Sequence, residues 1–379
     1  MTTLFQRAIA GQVRDNLPKA GTVIILYGAR QVGKTTLVGQ LLESCSDALT
    51  FVGDDLYTQQ LLSRHELEHL KRVVGSATTV FIDEAQRIES IGLTLKLLVD
   101  SMPVTVIASG SASFDLADRL SEPLTGRSRT FHLHPLTWGE VAEKYRVTAP
   151  ETAFEELLRY GMYPRVHTLE SDLEKQEYLY EYINSYLYRD LLELEQVKKP
   201  KKVVDLLVLL AHQVGSEVAV SELANALGLS KTTVEGYLDV LEKMFVVVNV
   251  RGFSRNLRKE VTKTSRYYFT DVGVRNALIR SFAPVSLRGD VGELFENWFV
   301  MERVKQAGNE GRHTGFYFWR TYDQQEIDLV EEVEGRLTGF ECKWSSPSRQ
   351  RAPSQWRRAY PEAGYEIVTR DNCWTWLEA

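Results

Sequence analysis

A chain of 379 residues has room for two or three domains with cores of their own, which excludes a mini-protein stapled by disulfides or metal. Its 44% hydrophobic and 25% charged content excludes a disordered, collagenous or coiled-coil polymer. With 45 Lys and Arg against 51 Asp and Glu, the net charge of -6 excludes a whole-chain polyanion binder, so any nucleic-acid contact is regional. The three cysteines, Cys45, Cys342 and Cys373, make no C-x-x-C pair, which predicts free buried thiols in a reducing compartment. No apolar run is long enough to span a bilayer and the N-terminus lacks a signal pattern; the expectation is a cytoplasmic protein without a membrane partner.

The first third alternates apolar runs with helical stretches, the pattern of an α/β domain with a parallel sheet. Strands are expected at Thr22–Tyr27, Leu49–Val52, Thr79–Ile82, Val104–Ser109 and Thr130–Leu133, with helices at Thr35–Glu43 and Leu93–Val99. Between the first strand and its helix lies Gly28-Ala29-Arg30-Gln31-Val32-Gly33-Lys34-Thr35, which fits G-x-x-x-x-G-K-S/T in the context a phosphate loop requires. The backbone of Gly28, Gln31, Val32 and Gly33, with Lys34, Thr35 and Thr36, is expected to cradle the phosphates of ATP, and Thr35 to ligate Mg2+. The apolar run Thr79 to Ile82 ends in Asp83-Glu84, a Walker B arrangement in which Asp83 serves the Mg2+ shell and Glu84 orients the attacking water. Ser109 and Ser111, at the end of the next strand, stand where a γ-phosphate sensor is expected; Ser-Gly-Ser is also a plain turn.

These motifs resemble the AAA-type ATPases, in particular a prokaryotic group that couples such a domain to an uncharacterised, restriction-endonuclease-like C-terminal domain. The resemblance spans nearly the whole chain and implies assembly into a homo-oligomer. In that pattern a Gly-Arg pair precedes the fifth strand, here Gly126-Arg127, so Arg127 is the candidate arginine finger acting on a neighbour's ATP. A surface arginine neutralising Glu122 is the alternative. Gly161-Met162-Tyr163-Pro164 is similar to a lid element of related signalling ATPases, which would put Pro164 near the nucleotide; helix termination explains the same letters.

From Pro150 to Val197 the chain reads as helical, and Pro200, within a lysine-rich break, is expected to stop a helix. Beyond it a short strand at Val218, helices at Ser221–Leu227 and Lys231–Met244, and strands at Phe245–Val250 and Arg266–Phe269 form a winged helix-turn-helix pattern, with Ser221 and Ser230 as N-caps. Arg251, Arg255, Arg258, Lys259 and Lys263 concentrate in the wing and are the candidate DNA phosphate contacts. Glu235, Asp239 and Glu242 on the second helix oppose deep groove insertion.

The last segment carries a helix at Gly292–Gln306 and strands at Phe316–Trp319, Glu326–Val330 and Leu337–Lys343. Its order of Glu296 on the helix, Asp328 on a strand and Glu341-x-Lys343 on the next resembles the core of the PD-(D/E)xK nucleases. The resemblance implies Mg2+ or Mn2+ held by Glu296, Asp328 and Glu341, with Lys343 activating water for phosphodiester attack. The expected organisation is an ATPase core at 1–149, a helical lid at 150–200, a winged helix at 201–288 and a nuclease-like domain at 289–379. Its expected function is ATP-controlled action on DNA. The alternative is an ATP-switched regulator or scaffold whose nuclease-like tail is silent and binds a protein partner.

Overall fold

Thr22–Tyr27, with five of six residues buried, forms an interior strand, β1, of a parallel sheet. The computed structural model describes residues 4–111, 124, 126–145, 150–193, 197–254, 265–346 and 351–377. They divide into a first unit of Leu4–Pro135 with Lys243–Phe245, and a second of Leu136–Glu242 with Val246–Ala379.

In the first unit, β1, β2 (Ala48–Val52), β3 (Thr79–Asp83), β4 (Thr105–Gly110) and β5 (Ser128–His132) lie in the order β2-β3-β4-β1-β5, all parallel. Each falls within a residue or two of its expected position. Parallel neighbours need crossover connections, and helices Lys34–Leu42 and Ile91–Ser101 supply two of them. Every residue of β3 and β4 is buried, as two covered faces demand, whereas the edge strands β2 and β5 are partly exposed. Leu70, Leu95, Leu98 and Val106 belong to the cluster that closes one face.

The second unit opens with helices, among them Trp138–Tyr145, Pro150–Tyr160 and Asp172–Glu181; the last starts at a Ser171–Glu174 capping box. Pro200 does not stop a helix but opens one, Pro200–His212, where its missing N–H has no helical partner to lose. The next strand, β6 (Glu217–Val218), leads into helices Val220–Leu227 and Lys231–Lys243. The first begins one residue earlier than expected, so Ala219 and not Ser221 is its N-cap, while Ser230 Oγ does accept the Thr233 N–H at 3.1 Å. Gly228, at φ 64°, makes the turn between them. Phe245 also has a positive φ, 58°, which delays the following strand, β7, to Val247–Gly252.

Strands β8 (Ser265–Phe269), β9 (Thr314–Arg320), β10 (Glu326–Val333), β11 (Arg336–Lys343) and β12 (Gly364–Thr369) complete a single sheet of order β12-β11-β10-β9-β7-β8-β6. The parallel β7–β9 pair, with Arg251 opposite Tyr317 and Gly252 opposite Phe318, joins the strands after the two helices to those of the tail. The long helix Val291–Glu310 meets this sheet where Phe299 packs against Phe340 of β11, while its buried Phe295 and Trp298 pack against Phe154 of helix Pro150–Tyr160. Its Asn297 amide grips both main-chain groups of Phe269 on β8, at 2.8 and 2.7 Å.

Candidate functional site

The chain leaves β1 at Gly28, where any Cβ would collide with the Leu133 carbonyl oxygen. Gln31 at φ 61° and Gly33 at φ 97° then turn the backbone left-handed and deliver Lys34 to the first position of helix Lys34–Leu42. This is the curled loop and open helix N-terminus that favour phosphate. Val32 is buried beneath it, and Thr35 and Thr36 are exposed. Lys34 is buried and its Nζ donates to the Gly28 and Ala29 carbonyls at 2.9 and 3.0 Å.

Asp83, at the end of β3, accepts the Thr35 hydroxyl at 2.6 Å on Oδ2 and the Ser109 hydroxyl on Oδ1. Glu84 follows at φ 48°, and its Oε2 receives Gln86 Nε2 at 2.5 Å; the same amide nitrogen lies 3.2 Å from Ser111 Oγ. Thus Thr35, Asp83, Glu84, Ser109 and Ser111, drawn from the ends of two strands and the start of the helix after the loop, meet in one place. The Thr35 hydroxyl and the Asp83 carboxylate are hard oxygen donors beside a phosphate-binding loop, a set that fits Mg2+.

Arg127 stands before β5, at the opposite end of the strands from the phosphate loop, since Ser128 pairs with Val23 and His132 with Tyr27. Its guanidinium is half-exposed and pairs with Asp100; Glu122 lies outside the described residues. Pro164 belongs to the second unit, in a turn where Met162 N–H donates to Asp271 Oδ2 at 2.6 Å. Arg251 is exposed on β7, and Arg255, Arg258, Lys259 and Lys263 lie outside the described residues.

In the second unit a cavity of about 380 Å³ is lined by Glu296, Asp328 and Lys343, together with Arg266, Glu326 and Arg320. Glu341 stands beside it, with Oε1 2.7 Å from Lys343 Nζ and a buried Oε2 that has no hydrogen-bond partner among the described residues. The four expected positions are therefore neighbours. Into this group projects the guanidinium of Arg266 on β8, 3.1 Å from Glu326, 3.4 Å from Asp328 and 3.6 Å from Glu296. Asp328 Oδ2 also takes the Cys342 N–H at 2.8 Å, and Glu296 the Tyr268 hydroxyl at 2.7 Å.

Burial, then the Asp328 charge, pushes Glu296 up to about 8, and the same causes push Glu341 up to about 7. Burial works against the Arg266 charge, but Tyr268, Glu296 and Asp328 more than offset it and hold its pKa above the ordinary value. A divalent ion does not fit this arrangement: the carboxylates it needs already serve a guanidinium and a main-chain N–H. Among the described residues, no group of three or more His, Cys, Asp or Glu is placed to hold a metal.

Residues 20–142 match the AAA domain family, while 151–284 and 291–376 match two domains of unknown function, DUF8612 and DUF4143. The uncharacterised protein Rv2008c of Mycobacterium tuberculosis is 31% identical over 354 residues, 92% of this chain and 76% of that protein; Mb2031c of Mycobacterium bovis matches equally. The chain belongs to their family, one of AAA-type ATPases. A further member-like protein, uncharacterised MJ1544 of Methanocaldococcus jannaschii, is 22% identical over 86% of this chain and 76% of its own length. The Walker-type ATPase PABY2304 of Pyrococcus abyssi shares the fold, with a TM-score of 0.52 at 18% identity, over 73% of this chain and 96% of that one.

Three residues of this AAA-type chain escaped the motifs. Buried Arg7 donates to the Val32 carbonyl at 2.7 Å and the His134 carbonyl at 2.6 Å, bracing the phosphate loop from the N-terminus. Gln86 holds the Walker B glutamate; its nearness to Asp83-Glu84 was a usable signal. Arg266 gave none, because in sequence it counted only as one basic residue in a basic module. Among the described residues, no helix is long and apolar enough to cross a membrane, and Cys342 and Cys373 are buried free thiols while Cys45 is half-buried.

Proposed function

We propose that the first unit binds ATP with Mg2+ and hydrolyses it, and that this cycle controls what the second unit contacts. The observation that carries the reading is the 2.6 Å bond from Thr35 to Asp83 at the mouth of the phosphate loop. Lys34 holds phosphate already present in the ground state, Mg2+ bound by Thr35 and Asp83 offsets its charge, and Glu84 orients the attacking water. Lys34→Ala is therefore expected to lose ATP binding. Glu84→Gln keeps binding but loses roughly 10²–10⁴-fold in turnover, the usual share of a general base. Phosphate release beside equilibrium nucleotide binding checks both; equal rates in all three proteins overturn the site. Homo-oligomerisation through this unit, with Arg127 as finger, belongs to the same reading.

For the second unit the helix pair with β7 and β8 supports a winged helix, and the Glu296, Asp328, Glu341, Lys343 neighbourhood supports a nuclease-like core. A DNA-cleaving tail is one reading. Arg266 within the acidic cavity, and exposed Glu235 and Asp239 on the second helix, favour the other, an ATP-switched regulator with a silent tail. Incubation with several DNA forms, Mg2+ or Mn2+, with and without ATP, separates them. Cleavage that vanishes in Asp328→Ala establishes the nuclease; no cleavage supports the regulator.

A further inference from the structure

The acidic cavity of the second unit holds more carboxylates than cations: Glu217, Glu293, Glu296, Glu326 and Asp328 line it with Glu341 beside them, against Arg266, Arg320 and Lys343, and Arg320 is taken by Glu217. That surplus is the argument for a divalent ion, and Glu341 Oε2, without a partner among the described residues, strengthens it. The placement of Arg266 argues the opposite. Its side chain is 4% exposed and reaches three acids on two elements: Glu296 on the long helix and Glu326 and Asp328 on β10. Its guanidinium also lies 4.7 Å from the Phe318 ring centroid on β9, so it is held by stacking as well as by charge. A guanidinium does not lose its proton in a protein, so it cannot become neutral to admit a second cation.

The nominated metal ligands are, moreover, divided. Glu296 and Asp328 turn to Arg266, while Glu341 turns to Lys343. One Asp328 oxygen is further engaged by the Cys342 N–H. A metal entering here has to displace a buried ion pair on one side and break a lysine pair on the other. Leaving Arg266 buried without its acids is the costly result.

We propose that Arg266 is the resident cation of this cavity, standing where a nuclease would hold its divalent ion, so that the native chain carries no catalytic metal among Glu296, Asp328 and Glu341. The same side chain then joins β8, which follows the two short helices, to β10 and the long helix of the tail. This inference rests on the silent-tail reading and explains it.

The test uses the full chain, free of nucleotide, titrated calorimetrically with Mn2+ alone. Wild type and Asp328→Asn are expected to give the same isotherm, because no Mn2+ depends on Asp328. Arg266→Gln, which keeps a polar side chain but no charge, is expected to gain a Mn2+ site at least about tenfold tighter than wild type, lost again in Arg266→Gln/Asp328→Asn. If Arg266→Gln does not fold, Mn2+ in the refolding buffer is expected to restore it, read by circular dichroism and gel filtration. Asp328-dependent Mn2+ binding by wild type overturns the proposal, and so does an Arg266→Gln chain that is folded without a new site or is unfolded and not rescued. A wild type that neither binds Mn2+ nor cuts DNA, with no gain in folded Arg266→Gln, removes the role of Arg266 but leaves the silent tail standing. DNA cleavage by wild type without Asp328-dependent Mn2+ binding removes the silent tail and leaves the assignment of Arg266.

Discussion

Glu84 holds a left-handed backbone, φ 48°, a conformation that costs a non-glycine residue roughly 1 kcal/mol or more. The strain aims its carboxylate, which Gln86 then fixes. A different buried group reports on pH. Burial, then the nearby Lys144 charge, depresses His167 to about 3, and Tyr145 hydroxyl lies 3.0 Å from its Nδ1. The folded chain therefore keeps His167 neutral while the unfolded chain protonates below about 6.5. Its contribution to stability is complete above that pH and is lost as pH falls towards 3. Between pH 7 and pH 5 wild type should lose about 2 kcal/mol that His167→Gln does not lose, read from urea midpoints. Parallel losses in both proteins would show that other groups govern the acid transition.

At the scale of elements, the long helix and β8 are joined by the two hydrogen bonds of Asn297 to Phe269. Both main-chain groups are buried, and each costs about 1–3 kcal/mol when left unpaired. Asn297→Leu is thus expected to lower unfolding stability by about 3 kcal/mol. Asn297→Asp, which accepts the N–H but has no donor for the carbonyl, should do no better than recover part of it. Denaturant curves for the three proteins decide this, and an unchanged Asn297→Leu midpoint refutes the clasp. The same joint shows what local signals convey. An asparagine inside an apolar helix face was visible in the sequence, but its partner lies 28 residues upstream on a strand whose position depends on sheet pairing. Likewise Ser221 looked like a cap, and Pro200 like a stop. Capping and proline rules name where a helix can begin or end, and packing chose the neighbouring possibility.

For the whole molecule, the role proposed for Arg127 is one played on a neighbouring copy of the chain. Its pairing with Asp100, at the strand end away from the phosphate loop, leaves it half-exposed on the surface of the first unit. Mixing Arg127→Ala with Lys34→Ala should restore part of the ATPase activity, since each supplies what the other lacks. No recovery in an assembly shown to contain both chains rules out the finger. The phosphate loop and the Walker B acids were legible because each is a contiguous run whose glycines, strand and helix start dictate its own backbone. Thr35 and Asp83 then met because a parallel sheet aligns its strand ends. Glu296, Asp328, Glu341 and Lys343 were legible as an order of elements for a similar reason. What occupies their centre was not. Arg266 reaches Asp328 only because β7 pairs in parallel with β9, carrying β8 into the sheet of the tail. A register between strands more than 60 residues apart is set by packing across the whole unit, so tertiary structure alone decided which cation the acids of the tail would face.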